Sequence, residues 1–162
     1  MILSLAREIG IAGLLALSLA VTLSAQLPTK RVLTLEVAKK IAAAAEAEAL
    51  KNKWSVVISI VDDGGHLIYL QRLDGTQLGS IEVSQFKARG AILYKRPTKA
   101  MEERLTSGGT NVLSLPGAAP VEGGLPLMIG DEFIGAIGVS GVTSQQDAQI
   151  AAAGAAVLAS MK

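Results

Sequence analysis

The sequence predicts an α+β fold in which an antiparallel sheet is flanked by helices. Two pairs of strand-forming runs are each separated by a short glycine-containing break, as in a β-hairpin, and neither pair is joined by a crossover helix. Helix-forming segments precede, separate and follow the two pairs. Because parallel strands need crossover connections of a dozen or more residues, this order favours antiparallel pairing with helices packed on the sheet.

The first part of the folded region predicts a helix followed by a hairpin. Thr34 is suited to cap a helix that continues to about Lys51, because small apolar side chains recur on one of its faces. Residues 54–61 predict a strand with apolar side chains on both faces, which indicates a central place in the sheet. Residues 62–66 form a turn before the strand LIYLQR, and its glycines supply positive φ. We expect these two strands to pair in an antiparallel manner.

Two further helices are predicted after the first hairpin. Ser80 can cap a helix that extends to about Lys95. Pro97 disfavours helical geometry in the residue before it, so this helix ends there and a short helix begins near Thr98.

The last third of the chain predicts a second hairpin and a final helix. Residues 107–124 are rich in Gly and Pro and have no helical period, and one short strand is expected within them, at NVLSL. Residues 125–129 and 133–140 form the strands of the second hairpin. Ser144 is predicted to cap an Ala-rich helix that reaches about Met161.

The N-terminus has the form of a secretory signal peptide. Arg7 precedes an uncharged apolar run at 9–23, which is shorter than the ~20 residues of a usual membrane-spanning helix, and Ala25 offers a small residue for cleavage. Glu8 and Leu23 depart from the usual pattern, so a retained membrane anchor is the alternative. The cleaved protein would be periplasmic or extracellular, with no membrane contact. The predicted organisation is a signal peptide at 1–25, a linker at 26–33 and the folded domain at 34–162.

Composition excludes several classes of protein. The 162 residues are 50% hydrophobic and 18% charged, with 15 Lys and Arg against 14 Asp and Glu. This is the size and composition of one folded domain, and a net charge of +1 lacks the basic footprint of a nucleic-acid-binding protein. Cysteine is absent, which excludes disulfides, thiolate nucleophiles, zinc-thiolate sites and iron-sulfur clusters.

Local motifs favour structural roles. Gly135, Gly138 and Gly141 recur every third residue, but they lie in a strand and lack the spacing of a dinucleotide-binding turn. Glycine within a strand marks the close approach of a backbone or a ligand, and the first of these is preferred here. Ser140 does not fit the nucleophile-elbow pattern, and Asp147 is interpreted as an acid in the first turn of the last helix.

One imidazole limits the metal chemistry that the chain can support. His66 is the only histidine, and it is either a turn residue or a ligand. A zinc site needs three or four protein ligands, whereas haem can be held by a single axial His, Tyr or Met in an apolar slot. Tyr69, Tyr94, Met101 and Met128 extend the set of axial ligands and leave the choice open.

Two cations of the second predicted helix have two interpretations. Lys87 and Arg89 most simply extend to solvent. If a pocket lies beside the helix, they are suited to bind an anion such as a haem propionate.

Several segments together resemble the GlcG/HbpS family of haem-binding proteins, which is related to the C-terminal domain of PduO. They are KNKWSVVISIVDDGGHL, QRLDG, FKARGA, VEGGLPLMIGDEFIGAIGVSG and QQDAQ, and the similarity covers about residues 33–158. The resemblance implies a profilin-like or PAS-like domain with about five antiparallel strands that assembles into homo-oligomers. It also implies haem as the ligand. Some members of the family act as haem sensors for two-component systems or degrade haem.

The resemblance also implies which residues bind the ligand. They are Arg72, Asp74 and Gly75 of an arginine-x-aspartate-glycine segment, Lys87 of the second helix, and Glu122, Gly123, Gly124 and Pro126 of a pocket-side loop. Arg89 is added from its place on the helix. His66 is proposed as the haem iron ligand, with Tyr69 as the second choice. The segment Arg89-Gly90 departs from the usual pattern of the family, which indicates close packing or a reshaped pocket.

The predicted function is therefore an exported haem-binding module that acts in sensing or scavenging. Haem is expected to enter an aliphatic cleft near the EGG loop, which is the segment Glu122-Gly123-Gly124, with Lys87 or Arg72 as a propionate partner. One alternative is an enzyme with haem-degrading or peroxidase-like activity. The other is an oligomeric accessory or interaction protein that binds a small organic acid or a sensor kinase.

Overall fold

The computed structural model describes residues 26–161, and it confirms the predicted α+β class. The predicted signal peptide lies outside the described residues. The helices are α1 (Leu35–Lys51), α2 (Ser80–Leu93), α3 (Lys99–Thr106) and α4 (Ser144–Ala155), with short 3₁₀ helices at Thr110–Ser114 and Ala156–Ser160. The strands are β1 (Val57–Asp62), β2 (Leu67–Arg72), β3 (Gly124–Ile129) and β4 (Glu132–Ser140).

The sheet has the strand order β2-β1-β4-β3, and every pair is antiparallel. The pairing of Ile60 with Tyr69 on one side and with Ile137 on the other confirms that β1 is a central strand. The connection between the two hairpins, from the end of β2 to the start of β3, contains α2 and α3 and lets β1 and β4 lie side by side. Two registers contain an irregularity, one within β1–β2 and one within β3–β4.

The main hydrophobic core lies between one face of the sheet and helices α1 and α4. Ile58, Ile60 and Ile137 point to this face and are fully buried. Small side chains on α1 and α4, such as Ala45 and Ala151, let both helices lie close to the sheet. This layer covers the face of the sheet that lies away from α2.

Helix α2 covers the other face of the sheet through small residues. Ser84 and Ala88 of α2 lie against Gly138 of β4, whose position leaves no space for a Cβ atom. The Ser84 and Ser59 hydroxyls share a buried hydrogen bond of 2.7 Å. The predicted role of a strand glycine, close approach of another backbone, is confirmed at Gly138.

The expected fifth strand is absent from residues 26–161, where NVLSL forms a 3₁₀ helix instead. Glycines at 108 and 109 precede this segment, and Pro116 follows it. Local hydrogen bonds, from Val112 N to the Gly109 carbonyl and from Leu115 N to the Val112 carbonyl, satisfy its backbone. Val112 is buried in a small cluster with Met101 of α3 and Ala118, and this cluster replaces the alternating pattern of a strand.

Two predicted helix caps are wrong and one is confirmed. The Thr34 hydroxyl accepts a hydrogen bond from Val37 N at the start of α1, as expected. At α4 the N-cap is Thr143, which forms a capping box with Gln146, and Ser144 is the first helical residue. At α2 the N-cap is Gly79, and Ser80 is the first helical residue, which is buried and whose hydroxyl accepts a hydrogen bond from Ser140.

The segment predicted as a linker is attached to the domain. Lys30 forms an ion pair with Asp63 in the first hairpin turn, with 2.6 Å between Nζ and Oδ2. Arg31 contacts Glu132 in the second hairpin through its backbone N–H, at 2.7 Å. Leu33 is buried in the main core. Within residues 26–161, none of the helices combines the length and the hydropathy needed to cross a bilayer.

Candidate functional site

An open cleft of about 700 Å³ lies between α2 and the first hairpin. Its apolar lining residues are Val61, Leu67, Val83 and Phe86. Glu82, Gln85, Arg89 and Gly65 complete the lining. The volume is typical of sites for small molecules and cofactors, in which a few polar groups orient a largely apolar ligand.

The position of the cleft follows from how α2 packs on the sheet. The helix lies over β4, β3 and β1, because Gly124 and Gly138 let its backbone approach the sheet closely. The outer strand β2 therefore has less cover on this face. Leu67 at the start of β2 is 48% exposed and faces the gap that α2 leaves.

The hairpin turn at the mouth of the cleft is held by Asp62. Its carboxylate Oδ1 accepts hydrogen bonds from the backbone N–H groups of Gly64, at 2.9 Å, and His66, at 2.8 Å. Gly65 has a positive φ of 81°, as predicted for this turn, and it lies against the side chain of Arg89. The His66 side chain is 82% exposed, with its Nδ1 atom 3.3 Å from Asp62 Oδ1.

Replacing Asp62 by Ala is expected to destabilise the protein by about 1 to 2 kcal/mol, as for loss of a capping side chain. Burial raises the pKa of the Asp62 carboxyl, but the hydrogen bonds from His66 and Gly64 together lower it below its ordinary 3.8. The stabilisation is therefore complete above that value and is lost as the pH falls through the folded-state pKa. Urea unfolding at pH 7 and at pH 3 measures the difference.

The control is Asp131→Ala in the other hairpin turn, where the carboxylate forms no hydrogen bond within the described residues. We expect Asp131→Ala to change the free energy of unfolding by less than about 0.5 kcal/mol. A loss for Asp62→Ala that is equal at pH 7 and pH 3 would contradict the assigned role of the carboxylate.

Lys87 is buried, and its interpretation as a residue that extends to solvent is wrong. Only 2% of its side chain is exposed. The Lys87 ammonium donates to Asp147 Oδ2 at 2.8 Å and to the carbonyl oxygen of Val139 at 3.0 Å. Asp147 is equally buried and also accepts from Val142 N. This ion pair links α2 to the start of α4, so Asp147 has a role beyond that of a first-turn acid.

The Lys87–Asp147 pair is a desolvated pair of charges. Burial raises the pKa of the Asp147 carboxyl above its ordinary value, and the hydrogen bond from Lys87 opposes this shift. The carboxylate is thus held ionised chiefly by its lysine partner. The Lys87 ammonium donates to two acceptors within the protein, and neither Lys87 nor Asp147 lines the cleft. The pair therefore stabilises the packing of α2 against α4 and β4.

The EGG loop covers this buried pair and does not line the cleft. A Cβ atom at Gly123 would lie 2.9 Å from Lys87 Nζ, and Gly123 has a φ of 123°, which is rare for residues other than glycine. Glu122 forms an ion pair with Lys99 at 3.2 Å. Gly124 N donates to the Thr98 hydroxyl at 2.9 Å. The loop is thereby fixed to the start of α3, and the cleft lies away from the predicted position beside it.

The arginine-x-aspartate-glycine segment forms the turn after β2. Arg72 is exposed at the end of β2, at the far end of that strand from Leu67. The Asp74 carbonyl oxygen accepts a hydrogen bond from Ser55, and Gly75 has a φ of 80°. These residues have a role in the turn, and neither Arg72 nor Asp74 lines the cleft.

The remaining predicted ligands are also placed by the structure. Tyr69 packs against the main core on the α1 side of the sheet, and its hydroxyl donates to Gln71 at 3.0 Å. The Tyr94 hydroxyl donates to the Pro116 carbonyl oxygen. Met101 is the buried residue of α3 and packs against Val112. Of the predicted site residues, the structure brings Arg89 to the cleft and His66 to the turn at its mouth.

The cleft contains residues that the sequence analysis did not assign to a site. Val83 and Phe86 lie on the outer side of α2, opposite Ser84 and Ala88. The helical pattern carries this signal, because the larger apolar side chains face away from the small ones that touch the sheet. A helix whose larger apolar side chains face away from the sheet indicates a surface that contacts a ligand or another molecule.

The fold and the cleft define a class of small α+β domains with an open cleft between one helix and an antiparallel sheet. A more specific assignment comes from the family model described as "Haem degrading protein HbpS-like", which matches residues 33–156. The chain belongs to this HbpS-like family.

Relatives of known sequence or structure agree with this assignment. Protein GlcG of Escherichia coli K12 is 47% identical over 112 residues, which are 69% of this chain and 84% of that protein. The crystal structure of a Streptomyces reticuli HbpS double mutant has a TM-score of 0.75 and 34% identity, covering 82% of this chain and 90% of that one. The structure of a PduOC:heme complex has a TM-score of 0.71 and 27% identity, covering 78% and 94%. The predicted family and fold are confirmed.

Proposed function

We propose that this chain is an exported haem-binding module that captures haem reversibly, for sensing or for scavenging. The observation that carries the proposal is the cleft between α2 and the first hairpin, with its apolar walls and a single arginine. The description of the matching family and the haem complex of a relative support haem as the ligand.

The residues of the cleft fit a haem group. Phe86 on α2 and Leu67 on β2 offer apolar surfaces on opposite sides of the cleft, as a flat macrocycle requires. Arg89 supplies a cation whose planar guanidinium suits a propionate carboxylate. The volume of about 700 Å³ lies within the range for cofactor sites.

His66 is the residue that we assign to the haem iron. It lies between Gly65 and Leu67, both of which line the cleft. The Asp62 carboxylate oxygen Oδ1 lies 3.3 Å from Nδ1, so Nε2 is the ring nitrogen left to bind the iron. In metal sites a carboxylate at one imidazole nitrogen commonly orients the other toward the metal. The iron supplies the coordination bond, and the cleft supplies the remaining contacts.

Export and partners belong to the same proposal. The apolar run at 9–23, followed by small residues, supports cleavage after Ala25 and a periplasmic or extracellular location. A haem sensor in that compartment has to report to a membrane protein, and a sensor kinase would serve as partner.

Breakdown of bound haem is a second function, favoured by the description of the matching family. It is distinguished from reversible capture by loss of the Soret band when a reductant or a peroxide is added to the complex. The loss has to exceed that of free haem under the same conditions.

A haemin titration of the processed protein tests the proposed site. We expect saturable binding of one haem per chain, with a Soret shift that co-elutes with the protein. Leu67→Glu places a charge in an apolar wall of the cleft, so we expect at least tenfold weaker haemin binding. Because Leu67 is half-exposed in the structure, the substitution should not unfold the protein. His66→Ala in the same titration should shift the Soret band if the imidazole is the iron ligand.

Leu50→Glu on α1 is the matched control, because Leu50 is also exposed but does not line the cleft. It should bind haemin like the natural chain. Equal weakening by both substitutions, or weak and unsaturable binding by the natural chain, would contradict the proposal. The second outcome would direct attention to small organic acids as ligands of Arg89.

A further inference from the structure

The wall of the cleft that α2 provides carries a charge at each end. Four of its residues lie in one stripe along the helix, at the spacing i, i+3, i+4 and i+7, and they are Glu82, Gln85, Phe86 and Arg89. Glu82 and Arg89 are seven residues apart, which is about 10 Å along the helix axis. A porphyrin core spans a comparable distance, so a macrocycle that lies along this wall reaches both charges.

Neither of these charges is neutralised within the described residues. Glu82 and Arg89 are exposed and take part in none of the ion pairs of residues 26–161. Glu82 lies in the first turn of α2, where the helix dipole favours a negative charge. Among the described residues that line the cleft, Arg89 is the only cation. A carboxylate of a ligand is therefore attracted at the Arg89 end and repelled at the Glu82 end.

The two ends of the wall distinguish porphyrins by the position of their carboxylates. Haem has both propionates on one edge and apolar vinyl and methyl groups on the opposite edge. When its propionates lie at Arg89, the apolar edge lies beside Val83 and brings no charge to Glu82. Coproporphyrin III has propionates in place of the vinyl groups, so each of its four pyrrole rings carries one. In every orientation along this wall it brings a carboxylate to the Glu82 end.

We infer that Glu82 restricts the cleft to tetrapyrroles whose carboxylates lie on one edge, and that Arg89 binds this edge. The inference rests on the proposed function, because it names the class of haem-like ligand that the same cleft admits. Glu82 adds little to the affinity for haem and lowers the affinity for porphyrins with a carboxylate on every ring. Specificity of this kind comes from a repulsive element aimed at the wrong ligand.

Titration of the purified protein with haemin and with iron(III) coproporphyrin III tests the inference. Both ligands carry the same iron, so a change in their relative affinity reports on the edges of the macrocycle. In Glu82→Gln we expect iron coproporphyrin to bind at least about threefold more tightly, while haemin binding stays within about twofold of the natural value. Glu82→Lys places a cation at that end and should give a gain of at least about tenfold.

Salt and the other end of the wall provide two further readouts. Because Glu82 is exposed, the gain in Glu82→Gln should shrink when salt is raised from about 0.1 M to about 1 M. Arg89→Gln removes the cation that binds the propionate edge, so it should weaken haemin binding at least about fivefold. Both positions are exposed, and circular dichroism checks that each variant is folded.

Glu103→Gln on α3 is the matched control, because it removes an exposed carboxylate that does not line the cleft. It should leave both affinities unchanged. Haemin binding with an unchanged preference in Glu82→Gln, equal gains for both ligands, or natural haemin affinity in Arg89→Gln would overturn the inference and leave the proposed function standing. A natural chain that binds neither ligand would refute the proposed function and the inference with it.

Discussion

Replacing Lys87 by Met is expected to destabilise the protein by about 3 to 5 kcal/mol, because Asp147 is left as a buried charge without its cation. For a domain of this size such a loss lowers the melting temperature by roughly 10 °C or more. Met preserves the length of the side chain, so the loss reports on the ammonium and its two hydrogen bonds, to Asp147 and to Val139. Thermal and urea unfolding measure it.

The stability of Lys87→Met should depend on pH in a defined direction. Burial already raises the pKa of the Asp147 carboxyl, and removal of Lys87 removes the hydrogen bond that opposes the shift. In Lys87→Met the folded state therefore takes up a proton at a pH where the unfolded state, with an ordinary value of 3.8, does not. The stability of the variant should rise as the pH is lowered from 8 toward 4, so its deficit relative to the natural chain should shrink.

Two further variants separate the charge from the shape. Lys39→Met removes an exposed lysine of α1 and should change the stability by less than about 0.5 kcal/mol. Lys87→Met/Asp147→Asn removes both charges and should lose less than the sum of the single changes. Natural stability combined with loss of haemin binding in Lys87→Met would instead assign the lysine to the ligand, as the resemblance implied.

The elements of this fold were predictable because their signals are local. The helix capped by Thr34 and both glycine-containing turns were predicted correctly, since capping hydroxyls and turn glycines act within a few residues. The 3₁₀ helix at Thr110–Ser114 was not predicted, because a segment of five residues is too short for its pattern to separate a strand from a turn of helix. Its buried contact with Met101 decides the outcome, and that contact is tertiary.

The candidate site was predictable only in part, because it depends on the meeting of distant segments. Arg89 was placed correctly on a helix, but the other wall of the cleft comes from Leu67, on a strand that precedes that helix. Lys87 and Asp147 are 60 residues apart, and nothing in their separate surroundings shows that they pair. The family resemblance assigned Lys87 and the EGG loop to one ligand site. In the structure the two lie close together because Gly123 of the loop packs on the buried Lys87–Asp147 pair.

Replacing Gly138 by Val is expected to prevent normal folding, with a loss above about 4 kcal/mol that few single substitutions reach. A Cβ atom at this position would collide with the Ser84 carbonyl oxygen and the Ala88 amide nitrogen of α2. Both are backbone atoms, so no rotation of a side chain relieves the contact, and the whole helix has to move. Gly138→Ala carries the same collision with a smaller group and should lose about 3 kcal/mol. Soluble yield and urea unfolding measure both variants.

Gly79→Ala is the matched control at the start of the same helix, because a Cβ atom there has no neighbour within 4 Å. It should be neutral or stabilise the protein by up to about 1 kcal/mol, since alanine restricts the unfolded chain. If Gly138→Ala were equally harmless, α2 would be free to lie farther from β4. The helix would then have no reason to leave β2 uncovered, so the origin that we assign to the cleft would be wrong. A destabilised but folded Gly138→Ala should instead show weaker haemin binding, because its shifted helix carries Phe86 and Arg89 with it.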